Sequence, residues 1–225
     1  MSLVINTNIA SLNAQRSLAK SGAELSTAME RLSSGKKINS AADDAAGFAI
    51  AERMTAQVRG LNMAAKNAND GLSMLATIEN ATNDVTDMLH RMRELAVQAA
   101  NDTNGSTDRG YLQTEVTALI AEIDRVSTDT KYNGTAVLDG TFTSKKLQVG
   151  TESTQSITFS IDDVGVTALG VAAVTVSTQA GAAAALTTIS TAIEAVASDR
   201  ATYGALQNRL EYTVSNLMNV SEFTQ

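Results

Sequence analysis

A heptad pattern of unusual length, in a sequence without a single proline, sets the tightest limit on the folds open to this protein. Apolar residues step by four and three through Met54, Val58, Leu61, Ala65, Ala68, Leu72 and Leu75. They continue through Ile78, Ala81, Val85, Met88, Met92, Leu95 and Ala99. Such spacing holds one apolar stripe on one side of a helix. Over this length it marks a coiled-coil seam, since helices of globular proteins average about three turns. Successive steps of three around Leu75 and Ile78 read as a stammer, a local overwinding. The pattern predicts one helix from about Ala41 to Ala100. The absence of Pro agrees, because Pro removes an intrahelical hydrogen bond and clashes with the preceding turn. Aromatics make up 4% of the 225 residues, so Ala, Leu, Ile, Val and Met must supply the buried surface, which favours closely packed helices.

Two other stretches carry the same signal. Ile189, Ile193, Val196, Tyr203, Leu206, Leu210, Leu217 and Val220 predict a last helix from Ala182 onward, with Arg200 in one slot and its own double step of three at 200–203–206. Matching irregularities in two long helices imply an antiparallel pair. Leu112, Val116, Leu119, Ile123 and Val126 predict a short third helix, capped by Ser106 or Thr107, that folds back on the second. Tyr132-Asn133-Gly134 and Asp139-Gly140 are turn signals. Leu147 and Val149 alternate with polar neighbours, as do Ile157, Phe159 and Ile161, predicting a β-hairpin across the loop 150–155. A Gly/Thr/Val segment without a period follows, to about Gly181. The fold class expected is mainly α: long antiparallel coiled-coil helices, a short third helix and a small β-hairpin region.

Residues 3–34 also read as helical. At about 100° per residue, Ile5, Ile9 and Leu12 fall within about 40° of one direction, whereas Leu18, Leu25, Met29 and Leu32 lie near 180–240°. Either two short helices meet near 13–17, or one continuous helix buries its halves against different partners, as in a multi-subunit assembly. Gly35 suits the left-handed position after a helix. Ser40 and Asp43 form a variant capping box, with Asp43 and Asp44 in the first turn of the next helix. The divisions expected are 1–40 (first helix and joint), 41–130 (long helix and short return helix), 131–180 (hairpin and turns) and 181–225 (last long helix).

Composition removes most chemistry. There is no Cys and a single His, so disulfides, thiol nucleophiles, zinc ribbons and two-His metal motifs cannot be written. A net charge of −7 with no basic stripe argues against nucleic acid, whose affinity rests on phosphate neutralisation. No apolar run approaches the ~18 residues of a membrane span, and the start lacks the basic and apolar regions of a secretory signal. Asp43 and Asp44 are adjacent, so on a helix they point about 100° apart and do not converge. His90, close to Arg91 and Arg93, reads as a solvated helix residue. The expectation is a protein that is not an enzyme, with no cofactor, no metal, no nucleic-acid partner and no membrane insertion.

Several motifs in order carry a resemblance. Ile5-Asn6-Thr7-Asn8, Leu12-Asn13-Ala14-Gln15, Arg31-Leu32-Ser33-Ser34-Gly35, Asp43-Asp44-Ala45-Ala46-Gly47, Asn67-Ala68-Asn69-Asp70-Gly71, Arg93-Glu94-Leu95-Ala96-Val97-Gln98, Glu122-Ile123-Asp124-Arg125, Tyr132-Asn133-Gly134 and Leu206-Gln207-Asn208-Arg209-Leu210 resemble bacterial flagellin. The resemblance implies a subunit of the flagellar filament, exported unfolded by the flagellar type III route without a cleaved signal peptide and polymerising outside the cell. It assigns the first helix to an inner tube and the paired helices with the hairpin to an outer one. Self-assembly is then expected of Ile5, Ile9, Leu12, Leu18, Leu25, Met29 and Leu32. It implies an export chaperone and cap or junction proteins as partners. It also implies contact with the vertebrate Toll-like receptor for flagellin at Arg91, Leu95, Gln98 and Glu115, with His90 where Gln is usual. The variable outer domains of larger flagellins look absent. The family continues past Gln225 into a further helix that pairs with the first, so weak or no polymerisation is expected of the sequence as written. A hook–filament junction protein is the alternative, and a coiled-coil signalling module a more distant one that the hairpin and the Gly35 joint disfavour.

Overall fold

The computed structural model describes residues 8–224, so Ile5 lies outside the described residues. Among these it forms four helices, α1 (Ile9–Ser34), α2 (Ala45–Ala100), α3 (Ser106–Asp129) and α4 (Gln179–Thr224). Two antiparallel pairs complete it: β1 (Lys131–Tyr132) with β2 (Thr135–Ala136), and β3 (Lys145–Gln148) with β4 (Ser156–Phe159). The expected class, long helices with a short third one and a small hairpin region, is the class found. The protein divides into two compact units, residues 1–56 and 57–225.

In the first unit α1 runs without a break through residues 13–17, so the two-helix alternative falls. Asn8 caps it, its Oδ1 accepting the Ser11 N–H at 3.1 Å, and Gly35 ends it at φ 67°, a left-handed conformation that costs glycine little. The joint that follows departs from the expected capping box. Asp43 Oδ2 accepts the backbone N–H groups of Asn39 (3.1 Å) and Ser40 (3.0 Å) and the Ser40 hydroxyl (3.2 Å), which closes a local turn. These donors, Ser40 first and then Asn39, hold the Asp43 carboxyl below its usual range. Asp44 is the cap, its Oδ1 accepting the Gly47 N–H at 2.9 Å. Helix α2 therefore begins at Ala45 and not near Ala41. Ser40 and Asp44 are both good cap residues, and sequence alone does not choose between them.

In the second unit α2 and α4 run antiparallel. Ser221 Oγ donates to Asn62 Oδ1 at 3.0 Å, Gln207 Nε2 donates to Glu79 Oε2 at 3.1 Å, and a Cβ on Gly71 would stand 3.5 Å from Leu210 Cδ1. Neither helix holds a stammer. On α2 the buried residues Leu61, Ala64, Ala68, Gly71, Leu75, Ile78, Thr82, Val85, Leu89, Met92, Ala96 and Ala99 alternate steps of three and four throughout. On α4, Ala182, Ala185, Ile189, Ala192, Val196, Tyr203, Leu210 and Leu217 keep the same frame. Gly71 and Thr82 occupy seam positions that a count of apolar residues skips. Such a count takes Ala65 and Leu72, one residue after the seam, and then crosses to Ala81, Met88 and Leu95, one residue before it. In α4 the frame takes Ala192 and Asp199 where Ile193 and Arg200 were expected.

Helix α3 returns along the C-terminal half of α2. Val116 and Ile123 are buried, and Arg91 Nε donates to Glu115 Oε1 at 2.8 Å. Arg109 closes the far end, donating to the carbonyls of Ala99 (2.8 Å) and Asn101 (3.0 Å), a cation placed at the negative end of α2. The cap of α3 is Gly105 rather than Ser106 or Thr107, with its N–H held by Asp108 Oδ2 at 3.0 Å. The β3–β4 hairpin pairs Leu147 with Ile157. It reaches α2 at two glycines: a Cβ on Gly60 would come within 2.7 Å of Thr151 Cγ2, and one on Gly71 within 2.7 Å of Leu147 Cδ2. The segment 160–178 has no regular structure yet buries Ile161, Val164, Leu169, Val171, Val174 and Val176. Side chains tie down its backbone: Asp162 N–H donates to Tyr203 Oη at 3.1 Å and Val176 N–H to Gln113 Oε1 at 2.6 Å.

One expectation needs amending. By length and composition α4 is long and apolar enough to cross a membrane, with an 18-residue window of mean hydropathy 1.4. Alanine supplies much of that average, and the seam residues Ile189, Val196 and Tyr203 belong to the core of the second unit.

Candidate assembly surfaces

Among the described residues, helix α1 holds more exposed large apolar side chains than any other element. None of its residues is buried. Ile9, Leu12, Leu18, Leu25, Met29 and Leu32 are all among the exposed large hydrophobics, between 49% and 82% exposed. At 26 residues it is about 39 Å long, and a helix in a protein draws most of its stability from packing of its apolar face. Burying one large aliphatic side chain contributes about 1.5–3 kcal/mol, so this stripe is where partners add most. The apolar side chains point two ways, Ile9 and Leu12 on one side and the other four on the opposite side. A helix of this kind presents two faces. Its one ion pair among the described residues, Lys20 with Glu24 at 3.8 Å, is exposed and contributes little.

A second surface lies on α2 and α3. Arg91 bridges the helices, bonding Glu115 at 2.8 Å and Glu94 at 2.9 Å, and these two carboxylates, Glu115 first, raise its pKa. Arg91, Gln98 and Glu115 are exposed. Leu95 is 1% exposed and belongs to the core, so of these four residues three offer their side chains to a partner.

A third feature had no apolar signal to reveal it. In the Asp199 slot of the α4 seam, burial first and then the nearby Asp162 carboxylate push the carboxyl pKa up to about 6. Burial likewise raises the Tyr203 hydroxyl to about 12. Among the described residues no group of His, Cys, Asp and Glu is placed to hold a metal ion.

A two-faced, uncovered helix joined to an antiparallel helical unit with a small hairpin is an architecture that comparison can place. The family model "Bacterial flagellin N-terminal helical region" matches residues 5–143. The chain belongs to the flagellin family. It is 41% identical over 225 residues to a flagellin of Halalkalibacterium halodurans, an alignment covering 99% of this chain and 83% of that protein. It is 52% identical over 157 residues to a flagellin of Xenorhabdus nematophila, covering 70% of this chain and 50% of the relative. Against the B-type flagellin of Pseudomonas aeruginosa it is 46% identical and spans 35% of that protein's length. Among solved structures the Bacillus cereus flagellin superposes with a TM-score of 0.62 at 32% identity, over 68% of this chain and 88% of that one. A flagellar hook-associated protein of Vibrio parahaemolyticus gives a TM-score of 0.67 at 17% identity, which is a likeness of fold alone. Flagellin is a family of structural proteins.

Proposed function

We infer that this flagellin polymerises into the extracellular flagellar filament and does so through α1. The observation that carries the reading is the apolar stripe of α1, open on two sides in the single subunit. A surface that meets different surfaces on successive copies makes head-to-tail contacts, which extend into helical polymers when they do not close into rings. The second unit, with its continuous heptad seam, supplies a rigid body that each copy brings to the wall of the tube. Family membership supports export through the flagellar type III route with an export chaperone, and assembly beside cap and junction proteins. The absence of Cys suits passage as an unfolded polypeptide and assembly without cross-linking. Recognition by the vertebrate Toll-like receptor fits the exposed trio Arg91, Gln98 and Glu115.

The test is a bacterium whose only flagellin is this sequence followed by the family's further C-terminal helix. Electron microscopy should show long filaments, and sheared material should sediment. Leu18→Asp and Leu25→Asp should leave the protein folded, with unchanged melting of the second unit, while removing sedimentable polymer. Filaments of normal length from both variants would overturn the assignment to α1.

A further inference from the structure

Asn-Gly occurs twice in the sequence, at Asn104-Gly105 and Asn133-Gly134, and the structure treats the two pairs in opposite ways. Glycine leaves the following backbone nitrogen least hindered, so both pairs are chemically open to attack of that nitrogen on the Asn side-chain amide. At the first pair both reacting groups are engaged. The Asn104 amide nitrogen donates to the Gln98 carbonyl, and the Gly105 N–H donates to Asp108 Oδ2 at 3.0 Å within the cap of α3. Reaction there requires the end of α2 and the start of α3 to open together.

At the second pair neither group is held. Asn133 and Gly134 are exposed and form the two-residue turn between β1 and β2, with φ 48° and 79°. Among the described residues neither the Asn133 amide nor the Gly134 N–H makes a hydrogen bond. The ladder behind the turn has two residue pairs, Lys131 with Ala136 and Tyr132 with Thr135, too short to be rigid by itself, so the turn can open and bring nitrogen and carbonyl carbon together. We propose that Asn133-Gly134 is a self-modification site of this protein. The Gly134 nitrogen forms a bond to Asn133 Cγ, the Cγ–Nδ2 bond breaks, and ammonia leaves carrying the Gly134 proton. Water then opens the cyclic imide at one carbonyl or the other, giving aspartate or isoaspartate. Either product adds a negative charge, and isoaspartate also lengthens the backbone of a turn that demands left-handed residues at both positions. The neighbouring Tyr132, whose hydroxyl donates to the Asp70 carbonyl of α2 at 3.2 Å, then loses its fixed position.

The experiment incubates the full folded protein in mildly alkaline buffer and follows the two Asn-Gly peptides by mass spectrometry, where exchange of ammonia for water adds about one dalton. The Asn133 peptide should convert at least about tenfold faster than the Asn104 peptide, as expected when the two sites differ in local opening. In denaturant the two rates should converge. Asp108→Ala, which frees the Gly105 N–H, should accelerate Asn104 and leave Asn133 unchanged. Conversion of Asn104 as fast as Asn133 in the folded wild-type protein would overturn the proposal.

Discussion

Asp199 is the residue where folding and protonation are most tightly linked. Its carboxyl titrates at about 6 in the folded protein against an ordinary value of 3.8, so between these values the folded state holds the extra proton. Stability from this group is therefore present in full below the lower value and is lost as pH rises through the upper one. Thermal melts of the full protein should show a higher melting temperature at pH 5 than at pH 7.5, and Asp199→Asn should abolish the difference; an unchanged difference would detach it from this residue. Asp139, held low chiefly by the Thr141 hydroxyl, acts in the opposite sense and only at more acid pH. Tyr203→Phe should cost about 1–3 kcal/mol, because it leaves the Asp162 N–H without its acceptor, measurable by denaturant unfolding. None of this was legible in the sequence. The apolar count assigned the slot to Arg200, and the partner Asp162 comes from a segment with no periodicity. The Asp43–Asp44 pair was legible as a helix start, but not which of the two carboxylates caps.

Among the elements, the long seam of α2 was the strongest signal and it gave the helix and its C-terminal end; the antiparallel pairing with α4 was inferred from matching irregularities that neither helix contains. What it concealed was the frame. Thr82 and Gly71 lie in the seam without looking apolar, and Leu89 lies in it while Met88, one residue earlier, fits the apolar spacing. The stammers inferred for α2 and α4 were products of that shift. A cavity test separates the frames: Leu89→Ala should cost about 2–5 kcal/mol in denaturant unfolding, more than Met88→Ala at the half-buried position. Gly204 has nothing within 4 Å of an added Cβ and lies inside α4, so Gly204→Ala should stabilise by about 0.5–1 kcal/mol through helix propensity. A loss of stability there would show that the glycine has a packing role. The buried valines of 164–176 were unreadable because no helix or strand imposes a spacing on them; loop backbone bonded to Gln113 and Tyr203 places them.

For the whole molecule, the decisive fact is that one unit completes its own core and the other does not. The second unit holds the buried heptads, the hairpin and the irregular segment. The first holds a helix without a single buried residue, whose two-faced pattern was legible in the sequence because nothing within the subunit overrides it. Its exposed apolar side chains are the material of contacts between copies. Since the protein has no Cys, a single introduced thiol reports on that surface without background. With Leu25→Cys, maleimide labelling should be fast in the dispersed subunit and strongly suppressed in assembled filaments; equal labelling in both states would contradict the burial of α1 on assembly.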